Sequence, residues 1–308
     1  MKYFIITIDT EGDNLWQWKM NGEIKTENTL YLSRFQDLCN KYGFKPVWLS
    51  NWEMINDTKF VEFIKENLNN NRCELGAHLH AWNNPPYYEL SSNENSGAPY
   101  LIEYPDEIME QKIKILNDNF KSTFGFVPIT HRAGRWAMNN TYFKLLKKYG
   151  YKIDCSYTPG IDWSNSLGQT IDFKGPNYRN VKTSPQYIEG ILEVPLISFK
   201  KYLFLSCSSI KGFFKNCYYL IKGKRILLRP NGKNLEELKW IVSKDIKSKN
   251  DYLMFMLHSS EFMPGGSPTF PTHESIEKLF EDLEELFSLI SKHYIGVTLS
   301  EYYNMVKK

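Results

Sequence analysis

The fold is decided near the start of the chain by the stretch Tyr3-Phe4-Ile5-Ile6-Thr7-Ile8-Asp9-Thr10-Glu11. Its apolar part predicts a short buried strand, and two carboxylates, Asp9 and Glu11, follow at the end of that strand. A second stretch repeats this arrangement, because the predicted strand Glu74–Leu79 leads into the doublet His78-Leu79-His80. Residues two apart on a strand point to the same face, so each doublet presents two potential ligands in one direction. Two imidazoles together with carboxylate oxygen suit a zinc-like divalent ion.

Strand-like and helix-like segments alternate along the rest of the chain. A helical period of apolar residues ends at Gly43, a strand is predicted at residues 46–49, and a helix is predicted at residues 58–68. Alternation of this kind predicts a parallel sheet or a (β/α) barrel. A chain of 308 residues is an ordinary length for one α/β barrel. We therefore expect a single α/β domain that spans residues 1–308.

Six polar side chains fall at or just beyond the ends of predicted strands. In parallel α/β folds, ligands gather at the carboxyl ends of the strands, so these side chains are expected to share one site. The six are Asp9, Glu11, His78, His80, Arg132 and His258. His131, which flanks this set, is interpreted as structural.

The composition excludes several classes of protein. A net charge of +3 is too small to indicate nucleic-acid binding, and a hydrophobic content of 42% is enough for a large core. The five cysteines are odd in number and lack CxxC spacing, which argues against a disulfide framework or a cysteine zinc site. Aromatic residues make up 15% of the chain. Sugar-binding clefts use aromatic faces, but a biased genome gives the same composition, and both readings stay open.

No apolar stretch approaches the length of a membrane-spanning helix. The short apolar run before Asp9 is also too brief for the core of a signal peptide, and no small-residue cleavage site follows it. From these features we expect a cytoplasmic protein.

Two segments interrupt the alternation of strands and helices. Residues 81–105 hold four prolines and a polar run beside the histidine doublet, and they fit either a substrate-binding wall or a variable surface insertion. Residues 199–234 hold nine Lys and Arg residues, no Asp or Glu, and many interleaved aromatics. Such a stretch is typical of a segment that contacts an anionic membrane surface or an anionic polymer. The interpretation favoured by the sequence is that its aromatics pack against the barrel, with peripheral membrane contact as the alternative.

Four short motifs occur together in a familiar order. The chain resembles the polysaccharide deacetylase (NodB-homology) family, and within it the lipopolysaccharide-biosynthesis deacetylase homologues. The resemblance implies a distorted, incomplete (β/α) barrel with one divalent metal, expected to be Zn²⁺. It also implies hydrolysis of an N-acetyl group on a sugar. The motifs are Thr7-Ile8-Asp9-Thr10-Glu11-Gly12-Asp13, Gly76-Ala77-His78-Leu79-His80, His131-Arg132-Ala133-Gly134-Arg135-Trp136 and Leu257-His258-Ser259.

The resemblance implies a set of metal ligands with two departures from the family pattern. Thr10 stands where the family has a metal-binding aspartate, so the second carboxylate must come from Glu11. His78 matches the first metal-binding histidine, whereas Trp82 occupies the position of the second. His80 is the nearby substitute, which makes Glu11, His78 and His80 the expected metal ligands.

The resemblance also implies the catalytic residues. Asp9 matches the general base, Arg132 matches the arginine that holds the base, and His258 matches the general acid. Asp154 falls near the motif whose carboxylate tunes that histidine. Ser259, Ser260 and Glu261 could orient either His258 or the substrate, and the sequence does not decide which.

Together these observations predict a metal-dependent hydrolase that removes an N-acetyl group from a sugar of a surface polysaccharide or its precursor. One alternative is a metal-dependent hydrolase of another C–N or ester bond, because the same ligands serve both reactions. Another is a non-catalytic glycan-binding domain with a degenerate metal site, which Thr10 and Trp82 suggest.

Overall fold

The chain folds around one large sheet whose strands are mostly joined by helices. The computed structural model describes residues 2–13, 15, 23–90, 98–202 and 223–307. The strands are β1 (Lys2–Thr10), β2 (Pro46–Ser50), β3 (Glu74–Leu79), β4 (Thr130–Ala133), β5 (Ile153–Asp154), β6 (Gln186–Ile188), β7 (Ile191–Glu193), β8 (Phe199–Lys201), β9 (Lys224–Ile226), β10 (Tyr252–His258) and β11 (Tyr294–Gly296). The helices are α1 (Leu32–Lys41), α2 (Trp52–Ile55), α3 (Thr58–Asn69), α4 (Asp106–Phe124), α5 (Asn140–Lys148), α6 (Leu235–Ile246), α7 (His273–Ile290) and α8 (Leu299–Val306).

The sheet is a curled, open half-barrel. Eight strands follow the path β10-β1-β2-β3-β4-β5-β7-β6, and β11 pairs with residues 2–4 of β1. The pairs along this path are parallel except for the β6–β7 hairpin. Parallel strands need crossover connections, which helices supply from β1 to β5 and a long irregular segment supplies between β5 and β7. The predicted single-domain, distorted and incomplete (β/α) barrel is confirmed.

Each face of the sheet carries its own core. On β1, Phe4, Ile6 and Ile8 belong to the cluster that packs against the helices, whereas Ile5 faces the second cluster on the inner side. The two-residue period of a strand places Thr7 and Asp9 on the inner side with Ile5. The inner side is therefore apolar at the start of the strand and polar at its end. This change from apolar to polar residues places a polar site at the carboxyl end of β1.

Local sequence patterns also predict strands at residues 127–130 and 296–299, and the structure shifts both. β4 begins at Thr130 rather than at Val127, because Pro128 has no backbone N–H to donate to a strand ladder. A strand expected at residues 296–299 ends at Gly296, and Leu299 already begins α8. There the side chain of the N-cap Thr298 accepts a hydrogen bond from the backbone N–H of Glu301.

The two interrupting segments differ in how much of them the structure describes. In the first, Tyr100, Leu101 and Tyr104 are buried, so its second half packs against the rest of the domain. In the second, β8 and β9 form an antiparallel ribbon of their own, and the 203–222 part of the predicted aromatic packing lies outside the described residues. Among the described residues, no helix combines the length and the apolarity that crossing a bilayer requires.

Candidate functional site

The strand register brings the predicted site residues together. β1 and β10 pair Asp9 with His258, and β3 and β4 pair His78 with Arg132. These side chains point to the inner side of the half-barrel at the carboxyl ends of their strands. The position expected from the sequence is therefore the position that the structure shows.

Glu11, His78 and His80 form the one group within the described residues whose side chains could together hold a metal ion. One ligand atom from each lies within 4.8 Å of the other two, and all three residues are buried. The carboxylate atom Glu11 Oε2 lies 3.0 Å from His80 Nε2 and 3.5 Å from His78 Nε2. Because Trp82 packs edge-on against His80 at 4.4 Å between ring centroids, it holds the substitute histidine in place rather than displacing it.

The hydrogen bonds of this cluster are incomplete without a cation. His78 Nδ1 lies 2.9 Å from the backbone oxygen of Arg132. A carbonyl only accepts, so Nδ1 carries the proton and the lone pair of Nε2 faces the cluster. The two Nε2 atoms of His78 and His80 are 2.7 Å apart. Glu11 Oε2 and His80 Nδ1 are buried without a hydrogen-bond partner among the described residues. Two imidazoles and one carboxylate with an orphaned oxygen are a donor set that fits a divalent cation such as zinc.

The electrostatics of Glu11 and His80 agree with ligand chemistry, whereas the pKa of His78 shifts the other way. Burial lowers the pKa of His78, but the charges of Asp9 and Glu11 outweigh burial and raise it overall. Burial raises the pKa of Glu11, but His80, His258 and His78 together lower it well below its usual range. Burial lowers the pKa of His80. A carboxylate that stays ionised and an imidazole that stays neutral are the protonation states in which these groups bind metals.

Asp9 is held by a fully buried arginine. Arg132 Nη1 donates to Asp9 Oδ1 at 2.6 Å, and the same guanidinium donates to Thr7 Oγ1 at 2.9 Å and to the backbone oxygen of Cys155 at 3.1 Å. Burial raises the pKa of Asp9, but the charge of Arg132 outweighs it with help from His78 and His258, so the pKa is lowered overall. Asp9 Oδ2 is left facing His78 Nε2 and His258 Nε2, at 4.0 and 3.9 Å. Asp9 is thus an ionised, oriented base with one free oxygen.

His258 faces Asp9 across the site and is supported from behind by Glu261. Its Nε2 lies 3.9 Å from Asp9 Oδ2, and its Nδ1 lies 3.1 Å from Glu261 Oε2. Arg229 Nη2 lies 3.0 Å from the same Nδ1 and 3.2 Å from Glu261 Oε1. Burial raises the pKa of Glu261, and the charges of Arg229 and His258 lower it overall. The carboxylate behind His258 is therefore Glu261, three residues along the chain.

In the described part of the chain, Asp154 does not contact His258, although the resemblance implies that a carboxylate near this position tunes that histidine. Its Oδ1 atom lies 2.6 Å from His131 Nδ1, on the side of the sheet that faces the helices. His131 Nε2 lies 2.8 Å from the hydroxyl oxygen of Tyr142, so both ring nitrogens of His131 have partners. Successive residues on β4 point to opposite faces, which is why Arg132 enters the site and His131 does not. His131 is structural, as the sequence suggested.

A cavity of about 460 Å³ opens onto the cluster and is walled by aromatic side chains. Trp136 and Trp163 lie on one side, with ring centroids 4.8 Å apart. Arg135 stacks over Tyr100 at 3.8 Å and bonds the backbone of Ala98, tying this wall together. The size and mixed polarity of this space fit a small polar ligand such as a sugar residue.

Trp136 owes its position to unusual backbone geometry. Arg135 and Trp136 both have positive φ, 55° and 59°, which is uncommon for side chains of this size. The preceding Gly134 has no room for a Cβ, which would lie 2.5 Å from the backbone oxygen of Leu79. This turn presses β4 against the histidine strand and aims the Trp136 ring into the cavity. Trp136 belongs to one of the four sequence motifs, but no sequence pattern predicts a role for Trp136 or for Trp163.

A further carboxylate, Glu53, joins the loop that follows Glu11 to the loop that follows His80. Its Oε1 atom accepts from the backbone N–H of Gly12 at 2.9 Å and from Asn51 Nδ2 at 2.6 Å. Its Oε2 atom accepts from Asn83 Nδ2 at 2.7 Å. Gly12 follows Glu11, and Asn83 lies three residues after His80. Burial raises the pKa of Glu53 to about 7. Nothing in the sequence marks Glu53, because it follows a different strand and acts only through contacts made on folding.

Comparisons with known proteins establish the fold. No family model and no curated protein matches the sequence. A protein from Mycobacterium smegmatis, provisionally assigned as a polysaccharide deacetylase, has a similar structure with a TM-score of 0.55 at 14% identity; the match covers 99% of this chain and 91% of that chain. A GH57-type branching enzyme from Pyrococcus horikoshii is similar with a TM-score of 0.57 at 12% identity, over 100% of this chain and 71% of that chain. A 4-α-glucanotransferase from Thermococcus litoralis is similar with a TM-score of 0.56 at 13% identity, over 99% of this chain and 41% of that chain. The chain therefore has a fold found both in a structure described as a deacetylase and in enzymes that rearrange glucans.

Proposed function

We propose that this chain is a metal-dependent hydrolase of the polysaccharide deacetylase family that removes an N-acetyl group from a sugar. The observation that carries the proposal is the convergence of three kinds of group within one cavity. A potential metal cluster, an ionised base held by arginine, and a histidine backed by a carboxylate all meet there. The order of the four motifs and the likeness to the Mycobacterium smegmatis structure support the same family.

The reaction follows from the chemistry of an amide. An amide carbonyl is a weak electrophile and its nitrogen is a poor leaving group, so hydrolysis needs an activated water and a proton for the nitrogen. Glu11, His78 and His80 would hold the metal, which when bound supplies polarisation of the carbonyl and nucleophilic water near neutral pH.

The protein's own groups carry the protons. Asp9 accepts the proton of the attacking water at Oδ2, because its other oxygen is occupied by Arg132. His258 donates a proton from Nε2 to the departing nitrogen, while Glu261 fixes the ring through Nδ1. Trp136 and Trp163 hold the faces of the sugar ring and limit the water that reaches the bond.

Deacetylation fits this cavity better than glucan transfer does. Canonical glycoside chemistry needs one carboxylic acid kept protonated by a raised pKa beside a second carboxylate. Here the two carboxylates that line the cavity, Asp9 and Glu11, both have lowered pKa values. Glu53, whose pKa is raised to about 7, lies behind this lining, and its two oxygens accept hydrogen bonds from Gly12, Asn51 and Asn83. The proton donor that faces the cavity is a histidine, which suits an amine leaving group.

We further propose that the substrate is an N-acetylated sugar on a nucleotide- or lipid-linked precursor of a surface glycan, such as lipopolysaccharide. Such a precursor fits the proposed location in the cytoplasm. Zinc is the metal that the ligand set favours. Hydrolysis of another C–N or ester bond and metal-free glycan binding are the alternatives.

One experiment separates these functions. The purified chain, loaded with zinc, is incubated with N-acetylglucosamine oligomers and, separately, with maltooligosaccharides. The proposal expects acetate to be released from the first and no change in chain length of the second. Binding of the acetylated oligomers without acetate release would support the glycan-binding alternative. Disproportionation of the maltooligosaccharides would contradict the proposal in favour of glucan transfer.

A further inference from the structure

The proposed reaction leaves one unusual feature unexplained, the positively charged ribbon formed by β8 and β9. The register of this ribbon places Lys200 opposite Arg225 and Lys201 opposite Lys224. Like charges directly opposite each other on neighbouring strands destabilise the pairing. Two of the three residue pairs in this ribbon therefore bring like charges together, and a negatively charged partner would relieve their repulsion.

Helix α6 extends the same surface. Lys201 Nζ lies 5.1 Å from the ring centroid of Trp240, and Lys244 Nζ lies 5.7 Å from it, so two cations flank one indole ring. Next to Lys201 on β8, Lys200 Nζ lies 5.1 Å from the ring centroid of Tyr202, which is 59% exposed. These side chains border a shallow cavity of about 440 Å³ between the ribbon and α6.

Among the described residues, the cations of this surface form no ion pairs. Across the described residues, the nearby ion pairs are made by Arg229 with Glu261 and by Lys239 with Glu236 and Glu285. Lys200, Lys201, Lys224, Arg225 and Lys244 take part in none of the ion pairs in that part of the chain. The sequence adds no acid either, since residues 199–234 contain neither Asp nor Glu.

We propose that this surface, formed by β8, β9 and the Trp240–Lys244 side of α6, docks onto an anionic phospholipid membrane. The choice of a membrane over an anionic polymer rests on the aromatic rings that lie among the cations. Tyr202, which is 59% exposed, lies beside Lys200, and Trp240 lies near both Lys201 and Lys244. Basic residues mixed with aromatic ones match the lipid interface, whose headgroups are anionic and whose interior is apolar. The sequence of residues 203–222, which lie outside the described residues, contains a further 12 hydrophobic residues, three lysines and no acid. This inference is independent of the proposed reaction.

The test is co-sedimentation of the full chain with vesicles. Vesicles of equal parts phosphatidylglycerol and phosphatidylcholine are compared with vesicles of phosphatidylcholine alone, at low salt. We expect strong binding to the anionic vesicles, little binding to the neutral ones, and release at 1 M salt, where the screening length is about 3 Å. Because each surface cation contributes roughly equally, the triple variant Lys200→Gln/Lys201→Gln/Lys244→Gln should lower the partition coefficient on the order of 100-fold.

A matched variant tests whether position or only net charge matters. Lys59→Gln/Lys121→Gln/Lys292→Gln removes the same charge from exposed sites on other elements and should retain most of the binding. Thermal melting of both variants checks that they fold, and the salt release of the unmodified chain tests the idea without any substitution. Equal losses in both triple variants, or equal binding of the unmodified chain to neutral vesicles, would overturn the proposal. Retention on a sulfated polysaccharide without vesicle binding would overturn it in favour of an anionic polymer.

Discussion

Two buried groups of histidine and carboxylate lie on opposite faces of the same sheet. On the helix side, His131 has a partner at each ring nitrogen, Asp154 and Tyr142, and it is enclosed. On the inner side, Glu11 Oε2 and His80 Nδ1 lack partners among the described residues, and the group borders a 460 Å³ cavity. The two groups contain similar residue types, but in the part of the chain that the structure describes, only the inner group has ligand atoms without a partner and borders a cavity. Satisfied and enclosed groups hold a fold together, whereas unsatisfied groups at a cavity are available for chemistry.

The largest effect is expected from Asp9→Asn on the inner face. The substitution removes the base but leaves an oxygen in place for Arg132, so kcat should fall by roughly 10³- to 10⁴-fold while zinc content stays near that of the unmodified chain. Acetate release measures kcat, and elemental analysis measures zinc.

The Asp9→Asn variant also leaves the charge of Arg132 less well compensated in a buried site, and a lower melting temperature is expected alongside the lost activity. Loss of zinc together with full folding would mean that Asp9 is a ligand. The roles of Asp9 and Glu11 would then have to be exchanged.

His258→Ala should have the next largest effect, and the effect should depend on the leaving group. Hydrolysis of an N-acetyl sugar should slow by roughly 10²- to 10³-fold, because the amine must be protonated as it leaves. An activated acetate ester, whose leaving group needs no proton, should slow far less. Equal losses on the two substrates would count against His258 as the acid and would indicate that it orients the oxyanion or the metal site.

Glu53→Gln tests the link between the loop that follows Glu11 and the loop that follows His80. Glutamine can no longer accept at both oxygens from Gly12, Asn51 and Asn83, so the loops should loosen, and zinc affinity should fall by about 10- to 100-fold. A chelator competition titration measures that affinity. Glu74→Gln is the matched control, because Glu74 also joins separate elements, Thr130 and Ser300, but far from the ligands. A similar loss of zinc affinity in the control would show that Glu53 has no specific part in positioning the metal ligands.

The smallest effect on activity is expected from His131→Ala on the helix face. Deleting the ring removes two buried hydrogen bonds and leaves a cavity, so the free energy of unfolding should fall by about 2–4 kcal/mol. Zinc content and kcat/KM should remain within about threefold of the values for the unmodified chain, because His131 is expected to affect stability and not the site. Denaturant unfolding and acetate release measure the two properties. A loss of zinc without a loss of stability would contradict the assignment of the helix-side group to stability and of the inner group to metal binding.

The sequence predicted the fold and the place of the site because both follow from short-range patterns. Alternation along β1 assigns Asp9 to a face, and parallel strands bring their ends to one edge, so Asp9, His78 and His258 converge without further information. The approach of His80 to Glu11 and His78 could be anticipated for the same reason, because His80 lies two residues after His78.

The supporting parts of the site could not be predicted from local patterns. Glu53 reaches Gly12 and Asn83 across distant parts of the chain, and Trp163 comes from a long irregular segment. The left-handed backbone of Trp136 is imposed by packing around Gly134 and has no signature in the residue itself. Asp154 was assigned by motif order, but the face of the strand on which it lies directs it to His131 instead.

The most direct test of the contrast between the faces is a zinc titration of the metal-free full chain. The unmodified chain and His131→Ala are both predicted to bind one equivalent tightly, whereas Glu11→Ala, His78→Ala and His80→Ala should each lose tight binding. Binding that survives in His80→Ala, or that disappears in His131→Ala while the protein remains folded, would contradict the assignment of the inner group as the metal centre.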